Sequence, residues 1–497
     1  MFSTVPPPAA LTLSGAYPAS LQLSDVRVGR ISPIVVGGLV RLADFALTIF
    51  SGFLVAALYH GETEVLADPL YAAMIAIAGV SAVLAFDRLG LYSSQALAKM
   101  HRSLPRLMLG WFAAFAVVGG VAFFLKAGAD LSRGWLALWL VSGAAVLVAE
   151  RAGVSLVVQR LAKAGRLQRR AVIYGTGPLT EELIHKLEAD QGMELRIIGV
   201  FDDRTDARGH ASASAYPRLG TLDDLISVSR MLRVDLVIVA LPLAGESRLH
   251  DVANRISELP ADIRLPAQAT QIRLARRLYS YVGPVAMIDL HDRPIADWGH
   301  VAKWTFDKFI GLCALVLLAP VMALVAIAIK LDSPGPVLFR QKRYGFNSEL
   351  IEVLKFRSMH TALCDATADR LVTKSDPRVT RVGRIIRKTS LDELPQLFNV
   401  LMGTLSLVGP RPHAVAAKAE DRLYDQVVSR YFARHKVKPG ITGWAQISGW
   451  RGETDTREKI EKRVEHDLYY IENWSVFFDL YILAMTPLAL LKSENAY

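Results

Sequence analysis

Four apolar runs dominate the first third of the chain, Leu42 to Tyr59, Pro69 to Phe86, Leu107 to Leu125 and Trp135 to Val158. Each is long enough, as a helix, to cross a bilayer. Asp44 sits near the start of the first run, and Glu150 with Arg151 interrupts the last. Arg27, Arg30 and Arg41 precede the first run, Arg88, Lys99, Arg102 and Arg106 separate the second from the third, and Arg160, Lys163, Arg166, Arg169 and Arg170 follow the fourth. The other two connections carry Glu62, Glu64 and Asp68, or a short mixed loop. By the positive-inside rule, both ends of this four-helix unit are cytoplasmic. A fifth run, Phe309 to Ile329, is uncharged, yet Lys303 and Lys308 flank one end and Lys330, Arg340, Lys342 and Arg343 the other. The charge rule therefore wants both of its ends inside. Pro320 near its middle removes a helical hydrogen bond, so the pattern predicts a re-entrant helix, break and helix over 309–329. A straight fifth span is the alternative. The last apolar run, Val476 to Leu491, carries Asp479 as its only charge and reads as an interfacial helix, with a span as the alternative.

The pattern changes after the fourth run. Arg170-Ala-Val-Ile-Tyr-Gly175-Thr-Gly177-Pro-Leu-Thr180 predicts a strand, a glycine turn and a helix start, with further strands at 195–201 and 235–240 and helical patterns between them. This is the signature of an open parallel α/β unit. Gly175 and Gly177 match two positions of the dinucleotide fingerprint, but Thr180 replaces the third glycine, and Asp202 and Asp203 are only loosely placed for a ribose contact. A degenerate structural or regulatory domain is expected, rather than an active cofactor site. Membrane-anchored nucleotide-sugar dehydratases place such a fold after several spans, but no tyrosine here has a lysine four positions later, which counts against hydride chemistry.

With 497 residues, 52% of them hydrophobic, and a formal charge of +10, the chain is too apolar for an ordinary soluble protein. Its Lys and Arg cluster beside apolar segments instead of forming long basic runs with interleaved aromatics, so the charge suits a membrane surface and phosphorylated substrates, not nucleic acid. Two cysteines, Cys313 and Cys364, have no metal-ligand spacing and fit a reducing cytoplasm. The first 30 residues lack a signal-peptide pattern and read as a disordered cytoplasmic tail. The expected order is a tail (1–30), four transmembrane helices (31–160), a Rossmann-like domain (165–290) and a mainly helical catalytic domain (298–497). The fold class is thus a membrane protein of α plus α/β type.

Chemistry concentrates in Arg387-Lys-Thr-Ser390-Leu-Asp392-Glu393-Leu-Pro-Gln-Leu-Phe-Asn399, followed by Val408-Gly-Pro-Arg411-Pro412. An aspartate can attack phosphorus and form an acyl phosphate, splitting one displacement into two. A neighbouring Glu can hold a divalent metal that offsets phosphate charge. Ser390-x-x-Glu393 reads as a capping box, which would put Asp392 in the first turn of a helix, where free NH groups favour a phosphoryl group. The plain alternative is that the acidic pair is only a solvated cap.

Further motifs surround this run. They are Lys303-Trp-Thr-Phe306-Asp307, Ser333-Pro-Gly-Pro-Val337, Arg340-Gln-Lys-Arg343-Tyr-Gly345, Lys355-Phe-Arg357-Ser-Met359, Asp376-Pro-Arg378-Val-Thr-Arg381-Val-Gly383 and His435-Lys-Val-Lys438-Pro-Gly-Ile-Thr-Gly-Trp444-Ala-Gln446. In this order they resemble the bacterial sugar transferases, the monotopic polyprenyl-phosphate phosphoglycosyl transferases, from Trp298 to the C-terminus. The long form of that family, with four spans and a degenerate nucleotide-binding-like (CoA-binding-like) domain, resembles residues 30–290. Many relatives have Ser-Pro at the hairpin break where this chain has Ala319-Pro320. The segment Ser448-Gly-Trp450-Arg-Gly-Glu-Thr-Asp455-Thr, with Asp467-Leu-Tyr-Tyr470-Ile-Glu-Asn-Trp474, is similar to the subgroup that starts exopolysaccharides with glucose 1-phosphate; galactose and other hexoses are the alternatives. The resemblance implies that Asp392 attacks a UDP-sugar, releases UMP and passes the sugar 1-phosphate to undecaprenyl phosphate. It further implies magnesium (Mg2+) at Glu393, and phosphate binding by Lys355, Arg387, Arg411 and Lys438. The expected location is the cytoplasmic face of a bacterial inner membrane, with room for a homo-oligomer. A non-enzymatic membrane scaffold is the remaining alternative.

Overall fold

The computed structural model describes residues 31–61, 68–127, 130–189, 195–204, 216, 218–241, 246–269, 280–360, 376–413, 418–419, 422–423, 430–450, 452 and 456–492. The expected tail, Cys364, Glu62, Glu64 and Asp455 lie outside them. Two compact units emerge, one built around 27–169 and the other from 170 onward.

The first unit contains α1 (Pro33–His60), α2 (Pro69–Arg88), a short α3 (Ser94–Ala98), α4 (Met100–Phe124) and α5 (Arg133–Lys163). The four long helices cover the four apolar runs, extended by turns beyond them, and each is long and apolar enough to cross a membrane. Their shared core is aromatic. Trp135 and Trp139 stack with centroids 5.2 Å apart, while Trp139 Nε1 donates to Ser51 Oγ at 3.1 Å and Trp111 Nε1 to the Leu140 carbonyl at 2.9 Å. Those bonds satisfy indole NH groups that burial would otherwise strand. Arg151 Nη2 meets Asp44 Oδ2 at 2.6 Å, with both side chains buried, and Arg151 Nη1 meets Glu150 at 3.2 Å. The charges that interrupt the first and last runs are therefore partners, as charges inside apolar bundles must be. Outward residues such as Leu42, Phe50, Leu58 and Phe112 are exposed and apolar, as a lipid-facing surface requires.

The second unit begins with the α/β domain. Strands β1 (Arg169–Tyr174), β2 (Leu195–Phe201), β3 (Arg218–Gly220), β4 (Leu236–Val239), β5 (Asp262–Pro266), β6 (Ser280–Val282) and β7 (Val285–His291) form one sheet in the order β3-β2-β1-β4-β5-β7-β6. Strands β1 to β5 run parallel, and the β6–β7 hairpin adds an antiparallel edge. Helices α6 (Pro178–Ala189), α7 (Leu222–Leu232) and α8 (Glu246–Ile256) make the crossovers. Strands β1 and β4 are buried along most of their length, which is why they read as continuous apolar runs.

The remainder hangs on α9 (Asp297–Asp332), which buries Lys303, Asp307, Gly311, Met322, Val325 and Ile329 along one face. Phe309, Val316, Leu317, Leu324, Ile327 and Leu331 are exposed. Pro320 lies inside the helix, and no non-helical residue separates the halves. The expected break is thus corrected: one helix starts twelve residues before 309 and runs through the proline. A proline deletes one intrahelical hydrogen bond and can kink a helix without ending it. The hairpin of β8 (Leu338–Tyr344) and β9 (Leu350–Phe356), helices α10 (Arg381–Lys388) and α11 (Gln396–Met402), and two later helices, Arg457–Glu472 and Val476–Lys492, pack around it. Asp479 of the last helix is fully buried, accepting from Lys303 at 2.7 Å, Tyr470 at 2.7 Å and Trp474 at 3.1 Å.

Candidate active site

Strand alternation explains how the hairpin presents its cations. In the antiparallel register Arg343 lies opposite Ile351, Gln341 opposite Val353 and Phe339 opposite Lys355, so Arg343 and Lys355 share the face that carries the fully buried Val353. Asn399 of α11 fixes that face against the acidic turn. Its Oδ1 accepts from Leu354 NH at 2.9 Å and its Nδ2 donates to the Glu352 carbonyl at 2.8 Å. Helix α10 begins at Thr380, whose hydroxyl accepts from Gly383 NH at 2.9 Å. A β-carbon on Gly383 would lie 2.0 Å from the Ser358 carbonyl oxygen, so only glycine allows this approach. The helix ends with Arg387 in its last turn, where a cation suits the dipole.

Asp392 and Glu393 lie in a single 3-10 turn, Leu391–Glu393, after Ser390 in the left-handed region. The expected capping box is not formed. The Glu393 side chain is claimed by a stronger site. Arg411 Nη2 donates to its Oε1 at 2.6 Å and Nη1 to its Oε2 at 3.2 Å, and Lys355 Nζ reaches Oε1 at 3.2 Å. Charge around Asp392 thus comes from side chains, not from a long helix N-terminus. Lys355, Arg387, Arg411 and Arg343 all act on it. Among the described residues none hydrogen-bonds the Asp392 carboxylate.

The two carboxyl groups are driven in opposite directions. Burial pushes Glu393 up, but Arg411 and Lys355 outweigh it and hold the group well below the usual carboxylate range. Burial pushes Asp392 above its ordinary value, with Glu393 adding to the rise and Lys355, Arg387 and Arg411 opposing it. Burial also lowers Lys355, against the pull of Glu393, and brings Arg343 down to about 10. Arg411 rises because Glu393 is beside it.

Arg343 was not among the residues expected in the site, although its motif was. The sequence signal was available in the strand period, which puts it on the same hairpin face as Lys355. Lys438 departs from expectation in the other direction. Its charged neighbours are Asp307, Lys308, Lys303 and Arg233, and its Nζ lies beside Gly403, next to Lys308 Nζ. What the Lys438 segment does for the site is backbone work. Gly409 NH donates to the Thr442 carbonyl at 2.9 Å and Gly440 NH to the Pro410 carbonyl at 3.0 Å. This interlock aims Arg411. Arg434 completes it, donating Nη2 to the Arg411 carbonyl at 2.7 Å and to Asp467 at 2.6 Å.

Among the described residues no three His, Cys, Asp or Glu side chains gather as a metal site. Both Glu393 oxygens are occupied by cations. The described residues do not fit a divalent ion held by the protein alone.

A helix long and apolar enough to enter a membrane, packed beside a cation-ringed acidic turn and preceded by an α/β domain, defines a membrane-associated enzyme that acts on phosphorylated substrates. Residues 298–493 match the family model for bacterial sugar transferases, and residues 87–267 match that for a CoA-binding domain. The chain is 33% identical over 92% of its length to a UDP-glucose:undecaprenyl-phosphate glucose-1-phosphate transferase of Xanthomonas campestris pv. campestris, covering 94% of that protein. It is 37% identical over 73% of its length to a protein of the same name from Escherichia coli, covering 76% of it. A Komagataeibacter xylinus undecaprenyl-phosphate glucose phosphotransferase is 40% identical over 72% of this chain and 66% of its own. The chain belongs to the bacterial sugar transferase family, in its long form.

Proposed function

We propose that this protein transfers glucose 1-phosphate from UDP-glucose to undecaprenyl phosphate at the cytoplasmic face of a bacterial inner membrane, the step that starts an exopolysaccharide repeat unit. The observation that carries the reading is Asp392: a carboxylate ringed by four cations, with no hydrogen bond to its oxygens among the described residues. Its lone pairs remain free to attack, while Lys355, Arg387, Arg411 and Arg343 suit a diphosphate. In the first displacement an Asp392 oxygen bonds to the β-phosphorus, the anhydride bond breaks and UMP leaves with the electron pair. The sugar phosphate is then an acyl phosphate on Asp392. In the second, an oxygen of undecaprenyl phosphate bonds to that phosphorus and the Asp392 carboxylate departs, giving undecaprenyl-diphospho-glucose. Glu393 keeps Arg411 and Lys355 in place before substrate arrives. With phosphates competing for those cations, its oxygens would be available to help hold a magnesium ion, whose charge would offset that of the diphosphate.

A lipid phosphate and a soluble nucleotide must meet at headgroup depth, and the contacts of α9 support a re-entrant path. Lys303 near its start donates to the Val408 carbonyl at 3.0 Å, and at its end Arg357 donates to the Ser333 carbonyl at 2.7 Å and Val382 NH to Asp332 at 3.0 Å. Both ends are thus bound to one polar domain. With Cys313 and Cys364 removed, single cysteines at Trp298 and at Lys342 should both resist an impermeant thiol reagent in intact cells and react after permeabilisation. Labelling of the Lys342 position from outside would make α9 a span. The substrate is tested by supplying membranes with undecaprenyl phosphate, magnesium and a panel of UDP-sugars. UMP release with UDP-glucose is expected to exceed that with its epimer, and preference for UDP-galactose would reassign the sugar.

A further inference from the structure

The turn between β8 and β9 is held from outside the hairpin. Asn347 and Ser348 both have positive φ, 55° and 59°, a region that a β-carbon disfavours. Asn347 is buried and donates Nδ2 to the Arg230 carbonyl at 2.6 Å. Arg233 donates Nε and Nη2 to Glu349 at 2.9 and 2.8 Å. Arg230 and Arg233 form the C-terminal end of α7 in the α/β domain, where helical carbonyls lack intrahelical partners. Asn347 supplies one of those partners.

The same helix end reaches a second catalytic element. The Arg230 guanidinium lies 4.7 Å from the Phe432 ring centroid, and Lys436 Nζ is 2.7 Å from Nε2 of His291, the last residue of β7. Phe432 and Lys436 belong to the short helix Tyr431–Lys436, whose Arg434 holds the Arg411 carbonyl. Ser348 Oγ, in turn, is 2.9 Å from Nδ1 of His435 in that helix. The α/β domain therefore grips both the turn that follows Arg343, at Asn347 and Glu349, and the helix that holds the Arg411 loop.

We propose that the α/β domain is a brace for the transfer reaction, in which Asn347, Arg233 and Arg230 are positioning residues that set Arg343 and Arg411 against the acidic turn. Turn geometry fixes hairpin register and side-chain direction, so the turn contacts act on Arg343 directly. This role rests on the phosphoryl-transfer reading and assigns the domain a task that requires no ligand in its glycine turn.

The test uses the full chain in detergent or nanodiscs. Asn347→Gly keeps the left-handed backbone, which glycine adopts freely, and deletes the side chain that donates to Arg230. UMP release should fall at least about five-fold in kcat with little change in KM, because truncating a contact that only orients catalytic cations acts on the transition state. Arg233→Glu and Glu349→Arg should each lower kcat, and the double variant should recover most of the loss. Amide exchange should quicken at 343–351 and at 411–413 in Asn347→Gly. Wild-type kinetics and exchange in Asn347→Gly would overturn the brace, as would a loss that follows the melting temperature and is not recovered in the charge swap. Absence of UMP release in the wild type would instead overturn the functional reading, and exchange would still decide the brace.

Discussion

Asp202 and Asp392 stand at two turns that both look made for phosphate, and the protein treats them in opposite ways. Asp202 follows β2 beside the glycine turn. It is buried and accepts from Thr176 NH at 2.9 Å, Thr176 Oγ1 at 2.6 Å and Arg204 NH at 3.0 Å. Burial pushes it up, but these bonds outweigh burial and lower its pKa. A carboxylate so engaged braces its own turn and has little left to offer a ribose. Asp392 has cations near it but no hydrogen bonds among the described residues, and burial raises it. Satisfied charge builds structure, whereas charge that is surrounded but unbonded is available for reaction.

The largest expected effect breaks the Asp392 side of this comparison. Asp392→Asn should lower UMP release by at least about 1,000-fold, because an amide cannot supply the attacking oxygen. Glu393→Ala should follow, with a loss of about 100-fold in UMP release. It strands Arg411 and Lys355, so thermal unfolding should also report a stability loss of about 1–3 kcal/mol. Chelation of magnesium should reduce transfer without that stability loss.

A pH profile sharpens the comparison. The attacking form of Asp392 is ionised, so activity should fall on acidification through a pKa above the ordinary aspartate value, while Glu393 stays ionised throughout. Lys355→Met removes the foremost charge opposing that rise. The acid limb of kcat/KM, followed from about pH 4 to about pH 8, should move to higher pH. The smallest effect belongs to the other aspartate. Asp202→Asn should cost about 1–2 kcal/mol in thermal stability and change UMP release by less than about two-fold.

Elements with long local patterns were legible in the sequence. The four apolar helices, the strand at 195–201 and the glycine turn all sit where periodicity puts them. What failed depended on partners distant in sequence. The Ser390-x-x-Glu393 pattern is a good local cap, but Arg411, eighteen residues away, outbids the backbone for Glu393. Asp44 and Arg151 looked like flaws in two spans until their contact across 107 residues made them a pair. Pro320 lies inside a continuous helix because a proline removes one hydrogen bond while the turns on either side keep theirs. Lys438 sits in a phosphate-like motif, yet its side chain joins Lys308 and Asp307 while its neighbours' backbone aims Arg411.

The central claim is a covalent bond between Asp392 and the sugar phosphate. Wild-type protein incubated with UDP-glucose and magnesium, without lipid acceptor, then digested and analysed by mass spectrometry, should carry a hexose phosphate on the peptide containing Asp392, released when undecaprenyl phosphate is added. A hexose phosphate on another residue, or UMP release with lipid present and no adduct at any time, would contradict the account.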